Sequence, residues 1–305
     1  MVNQLKLNEY KQGIADSYDR RSQTYDDSDW HAQICYRLLE YSQVGAGQTV
    51  LDIGTGTGHL AIAAAQIAGD RGQVIGIDIS VGMLEQAQSK ASALELNNIE
   101  FQLADAEAIA YPANYFDHIL CANTFPWMEN KEATLQLWHQ FLKPGGRIGV
   151  HTPADTAYVG AVVLRKVLAK YGISLEASNR IGSVEQCQNL FMNAGFEAVD
   201  VKTEQHGSYT NLEKAKSTWE GVIVRPSSTS LKVLGDGLSH LSSAHLVQVK
   251  AEFEAELELL QTEGGIWDDL TTLCILGRKA EHESSRRSPH TNPNAPEQSQ
   301  AIGEM

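Results

Sequence analysis

Cysteine is scarce and scattered: Cys35, Cys121, Cys187 and Cys274 are the only four in 305 residues. No CxxC pair occurs, which excludes a zinc ribbon or a disulfide framework. Each cysteine reads as a reduced thiol in a cytoplasmic protein, and no metal site is expected. Long apolar runs are missing too. The longest, near residues 60–68, is too short to span a bilayer, so no integral membrane segment is expected. The opening residues, MVNQLKLNEYKQG, lack the apolar heart of a secretion signal. Positive charge is the weaker sign: 24 Lys and Arg stand against 38 Asp and Glu, a net charge of −14, with no basic patch. Such a chain repels phosphate backbones, which argues against nucleic acid as a partner. There is no internal repeat.

What is present is a globular composition, 42% apolar and 20% charged. Residues 1–44 read as a polar helical cap, with a turn-prone stretch at Asp26–Asp29 and a helix from Trp30 to about Tyr41. From residue 49 the pattern alternates. Apolar β-type runs at Thr49–Ile53, Gln73–Asp78, Ile99–Leu103, Phe116–Ala122 and Arg147–His151 are separated by helical stretches. This βαβα order predicts an α/β fold with a doubly wound parallel sheet. Helices are expected at about 157–170 and 183–193, and further strands at Ala198–Thr203 and Leu270–Leu276. If those two strands pair antiparallel at one sheet edge, the mostly helical segment 211–262 between them is an insertion, free to fold back as a lid. The domain would then span 45–280. Residues 281–305 have almost no apolar content and read as a disordered tail.

Chemistry concentrates where strands end. Val50-Leu51-Asp52-Ile53-Gly54-Thr55-Gly56-Thr57-Gly58 is an apolar strand carrying a carboxylate, then a glycine loop opening a helix. Glycines allow the tight turn and let a ligand approach the backbone, and the helix turns its free N–H groups toward that ligand. The second strand ends in Asp78, placed to accept both hydroxyls of a ribose; on its own it would read as a helix cap, but Ser80 is the better cap. After the third strand comes Asp105-Ala106, able to pair with an adenine amino group and ring nitrogen, or to start a turn. The fourth ends in Cys121-Ala122-Asn123-Thr124, and Leu142-Lys143-Pro144-Gly145-Gly146 is a turn into the fifth.

In order and spacing, DIGTGTG, GIDIS, ADAEAIAYP, FDHILCAN and LKPGG resemble the five motifs of class I S-adenosylmethionine-dependent methyltransferases. The Tyr18-Asp19 and Tyr25-Asp26 pairs are similar to the ubiquinone/menaquinone-biosynthesis and related small-molecule branch. The resemblance implies a Rossmann-like sheet of seven strands, the last antiparallel, and S-adenosylmethionine as cofactor. It places Gly54, Gly56 and Gly58, with Thr55, along the methionine and ribose. It puts Asp52 near the ammonium, Asp78 with Ile79 at the ribose, Asp105 with Ala106 at the adenine, and Asn123 under the sulfonium. Met83 packs on adenine or belongs to the core. Tyr18, Tyr25 and Trp30 form a flap on the substrate side or a structural cap, and Trp127 walls the acceptor site or packs inside. His151, at the end of the fifth strand, is the candidate general base. His59 opens the first helix or touches the cofactor, His118 reads as structural, and His31, His139 and His206 face a pocket or, more simply, lie at the surface. The expected activity is methyl transfer to a small aromatic or lipophilic metabolite, of quinone or secondary-metabolite type. The segment Ala122-Asn123-Thr124-Phe125-Pro126 lacks the Asn/Asp-Pro-Pro-aromatic signature of nucleobase methylation. Two alternatives stand beside this reading: a nicotinamide-dependent oxidoreductase, disfavoured because the loop is Gly-x-Gly-x-Gly rather than Gly-x-Gly-x-x-Gly, and a non-catalytic cofactor-binding protein. Oligomeric state has no signal in the sequence.

Overall fold

Hydrophobic runs too short for helices and bounded by turn residues become the strands. In the computed structural model, which describes residues 5–173, 181–224 and 241–281, these are β1 (Thr49–Ile53), β2 (Gln73–Asp78), β3 (Ile99–Leu103), β4 (Phe116–Ala122), β5 (Leu142–Pro153), β6 (Glu197–Glu204), β7 (Gly207–Thr210), β8 (Ile266–Asp269) and β9 (Thr272–Arg278). Seven form one sheet in the order β3-β2-β1-β4-β5-β9-β6. β9 lies antiparallel between β5 and β6, and the inner pairs of β1 to β5 are parallel. The two late strands therefore pair antiparallel, as the sequence suggests, with β6 at the sheet edge. β5 starts earlier than expected, because Leu142 already pairs with Phe116 before the register shifts.

The helices are α1 (Glu9–Arg21), α2 (Trp30–Ser42), α3 (His59–Ala68), α4 (Val81–Ala93), α5 (Lys131–Phe141), α6 (Val159–Lys170), α7 (Val184–Asn193), α8 (Leu212–Trp219) and α9 (Ser243–Glu258). Their starts follow from capping chemistry. The Ser80 hydroxyl accepts the Met83 N–H, and Ser183 with Gln186 completes a capping box. One sheet face buries Trp138, Phe191 and Ile148 under α5 and α7. The other buries Leu38, Leu60 and Cys274 under α2 and α3.

The segment between β6 and β9 is more than helical. β7 and β8 form a separate two-stranded sheet, with Tyr209 opposite Trp267. α8 and α9 pack on α6 around Trp219, Phe253, Leu164 and Leu168, a second core apart from the sheet. Each such buried side chain contributes about 1.5–3 kcal/mol. The tail expected at 281–305 falls, after Glu281, outside the described residues. No described helix is long and apolar enough to cross a membrane.

Candidate active site

The glycine loop after β1 is held from three directions. The Thr55 N–H donates to the Ile77 carbonyl at 2.8 Å and the Gly58 N–H to Thr55 at 2.9 Å. The Thr55 hydroxyl donates to Asp52 at 2.7 Å, and the Gly56 N–H donates to Asp78 at 2.9 Å. Asp78 also accepts the Ser80 N–H at 2.9 Å. One carboxylate thus joins the end of β2 to the loop and keeps lone pairs for a ligand. Burial raises its pKa, against the pull of these N–H donors. Asp52 is 1% exposed. Burial pushes its carboxyl up to about 7; the Thr55 hydroxyl works against that shift and the Asp78 charge adds to it.

These groups open onto one cavity. Gly54, Gly56, Asp78, Ile79, Met83, Asp105, Ala106 and Asn123 line it together, so the cofactor positions named from sequence converge, apart from three that sit in its continuation or behind it. Asp52 and Thr55 line a narrower continuation past Gly54, and Gly58 stands behind the loop as the left-handed start of α3. Met83 is 1% exposed and is both core and cavity wall. Asn123 adopts φ 59°, a conformation uncommon outside glycine, which turns the chain at the end of β4.

The N-terminal cap closes the cavity. Ile14, Tyr18 and Tyr25 line it, and Tyr25 stacks on His31 with centroids 4.2 Å apart. The two aspartates of the Tyr-Asp pairs are tethers. Asp19 accepts the Ser80 hydroxyl at 2.5 Å and the Gly82 N–H at 2.9 Å, holding α1 on the start of α4. Asp26 accepts from Thr57 and His59, each at 2.8 Å, and pairs with Lys90. Trp127 lines this cavity too; its side chain bonds the Tyr18 hydroxyl, and its carbonyl accepts from Tyr10 at 3.1 Å.

Several placements add to the sequence reading. His151 lies at the end of β5 but is buried, and desolvation takes its pKa down to about 3, with His206 adding to the shift. It stays neutral at ordinary pH, the form of an imidazole that accepts a hydrogen bond or a proton. His31 and His206 each line a cavity, the less favoured of their two readings from sequence. Lys11 carried no signal, yet it lines the cofactor cavity and reaches Asp105 at 2.6 Å and Glu107 at 2.9 Å. No described residue of 211–262 lines either part of the cofactor cavity.

The comparisons agree with this geometry. Residues 45–215 match the family model described as a methyltransferase domain. Aklanonic acid methyltransferase DauC of Streptomyces sp. (strain C5) is 33% identical over 150 residues, covering 48% of this chain and 68% of that protein. The ubiquinone/menaquinone biosynthesis C-methyltransferase UbiE of Shewanella frigidimarina is 31% identical over 191 residues, 57% of this chain and 73% of its own. Among solved structures, phosphoethanolamine N-methyltransferase 2 of Haemonchus contortus, in complex with S-adenosyl-L-methionine, shares the fold at TM-score 0.54 and 15% identity, covering 90% of this chain and 60% of that one. The chain belongs to the methyltransferase-domain family and is an S-adenosylmethionine-dependent methyltransferase. The cavity suits that cofactor. Asp78 and Asp105 put carboxylates on its wall, buried Asp52 adds another in its continuation, and nothing stands within 4 Å of where a Cβ on Gly56 would project.

Proposed function

We propose that this enzyme methylates a small aromatic or lipophilic metabolite, of quinone or secondary-metabolite type, in the cytoplasm. The observation that carries the proposal is the enclosure of the cavity beside Gly54 and Asn123 by the chain's own Tyr25, His31 and Ile34. An acceptor approaching that point past Ile34, the side chain shared with the neighbouring cavity, meets aromatic and aliphatic walls, which suits a compact apolar molecule. The relatives named for aklanonic acid and ubiquinone/menaquinone biosynthesis support the same class. The acidic net charge of −14 opposes a nucleic-acid acceptor. Four free cysteines accord with a reducing compartment.

Bound S-adenosylmethionine supplies an activated methyl group. The chain's residues bind, orient and exclude water. Asp78 holds the ribose hydroxyls, Asp52 the ammonium, Asp105 with the Ala106 N–H the adenine, and Asn123 the segment under the sulfonium. Residues 1–44 act as the cap over the cofactor, with Tyr18 and Tyr25 as its flap and Trp30 on the substrate side, and 211–262 as an insertion braced on α6. The test is incubation with methyl-labelled cofactor and fractionated extract, beside a panel of demethylated quinones and aromatic polyketide acids. Label is expected in the small, organic-soluble fraction. Label confined to protein or RNA would overturn the proposal.

A further inference from the structure

Across Ile34 from the methionine end of the cofactor cavity lies another, of about 340 Å³, within the size range of small-molecule sites. It opens between the start of α2 and the carboxyl end of β5, with β9 and the β6–β7 corner completing it. Ile34 lines both cavities. His151 joins them from the sheet side: it pairs in register with Ala122, and the Asn123 N–H donates to its carbonyl at 3.3 Å.

The His151 ring is the feature that calls for a ligand. It is 2% exposed, yet among the described residues neither Nδ1 nor Nε2 has a hydrogen-bond partner. Buried polar groups are overwhelmingly paired, and an orphaned one costs free energy until something meets it. Cys274 lies opposite it in register on β9. Trp30 lines the cavity and stands edge-on to His206 at 5.2 Å and 89°. The rim carries one guanidinium between two carboxylates: Arg37 pairs with Glu40 at 2.7 Å and Glu204 at 3.7 Å, and the Tyr41 hydroxyl donates to Glu204. The cavity therefore presents an aromatic wall and a neutral imidazole beneath a rim whose surplus negative charge disfavours a carboxylate ligand.

We infer that this cavity receives the methyl acceptor, and that the acceptor is an uncharged aromatic ring bearing a hydroxyl, which donates to His151 while the ring packs on Trp30. The inference rests on the methyltransferase reading above. Burial keeps His151 neutral and able to accept that hydrogen bond.

The test is calorimetry on the full chain saturated with S-adenosylhomocysteine, using 1-naphthol as probe, with naphthalene and 1-naphthoate as controls. Naphthol should bind together with the cofactor product, about ten-fold tighter than either control, the order of one net hydrogen bond. His151→Phe should bring naphthol to the level of naphthalene and leave S-adenosylhomocysteine affinity within about two-fold. If that variant fails to fold, Trp30→Ala, at a partly exposed helix start, should weaken naphthol and naphthalene alike. The inference is overturned if naphthol competes with S-adenosylhomocysteine, binds no better than naphthalene, or is indifferent to both substitutions. Failure of the wild-type chain to bind S-adenosylhomocysteine would instead strike the cofactor reading.

Discussion

The Lys11 ammonium stands 2.6 Å from the Asp105 carboxylate, tying the first helix of the chain to the turn after β3. Glu107 lies 2.9 Å from the same ammonium, and the Lys11 and Asp105 side chains are only 12% and 14% exposed. Burial pulls the Lys11 pKa down, but hydrogen bonds to Asp105 and Glu107 more than offset it and leave it raised. α1 also carries Ile14 and Tyr18 into the cavity. Lys11→Met should therefore leave two carboxylates facing each other without a cation and loosen the cap. A loss of about 1–3 kcal/mol is expected, less than for a fully buried pair. Thermal unfolding and S-adenosylhomocysteine calorimetry would read it, and an unchanged Tm with unchanged affinity would show that α1 is held by its other contacts.

The raised carboxyl of Asp52 makes cofactor affinity depend on pH. With a pKa up to about 7, caused first by burial, it is substantially protonated near neutrality. An ammonium brought beside it favours the ionised form. S-adenosylhomocysteine affinity should rise with pH up to about 8, and binding near neutrality should release a proton, seen as a dependence of binding enthalpy on buffer ionisation heat. Stability without ligand runs the other way. The folded state holds the proton more tightly than the unfolded, so stability falls as pH rises from about 4 to about 7. Asp52→Asn should flatten the binding profile. A flat profile in the wild type would place the ammonium elsewhere.

The sheet and the three strand-end carboxylates were legible because their signals are local. An apolar run, a carboxylate and a glycine turn lie within about ten residues of one another, and the strand–helix alternation sets their common edge. The misses depend on contacts between distant segments. β7 reads Gly-Ser-Tyr-Thr and finds its partner β8 only at Ile266–Asp269, so neither shows a strand pattern by itself. Lys11 lies in a polar helix and gains meaning only from Asp105 and Glu107. His206 occupies a polar stretch that gives no hint of Trp30 beside it. His151 was located from its strand, but its burial, which decides its proton affinity, belongs to the packing of α2 and β9.

Asp26 predicts how fast the cofactor leaves. It holds Thr57 and His59 of the glycine-loop region and pairs with Lys90 of α4, so the loop between α1 and α2 is latched to both sides of the site. Burial alone would raise its pKa, but hydrogen bonds from Lys90, Thr57 and His59 lower it. Its contribution is thus present above the ordinary carboxylate range and lost as pH falls through its lowered value. Asp26→Asn keeps the shape and removes the charge. Because the site is partly exposed, stability should drop by less than about 1 kcal/mol, while S-adenosylhomocysteine should dissociate several-fold faster. Stopped-flow chase experiments would show this, and an unchanged off-rate would mean that the loop does not gate release.

The two neighbouring glycines of the loop should respond to alanine in different ways. Gly54 has φ +66°, and a Cβ there would stand 2.1 Å from the Thr124 hydroxyl, inside the contact between the loop and the end of β4. Neither group can yield without moving the loop, so Gly54→Ala should lower Tm by several degrees and abolish S-adenosylhomocysteine binding together. Gly56 has φ +54° but no heavy atom within 4 Å of its Cβ position, because that side faces the cavity. Gly56→Ala carries only the cost of the left-handed backbone, about 1 kcal/mol. Its methyl group, however, occupies space the cofactor needs, so affinity should fall by far more than stability. Differential scanning calorimetry and isothermal titration on the pair measure both quantities. If Gly56→Ala bound S-adenosylhomocysteine as tightly as the wild type while losing Tm, the cofactor would not lie against this loop.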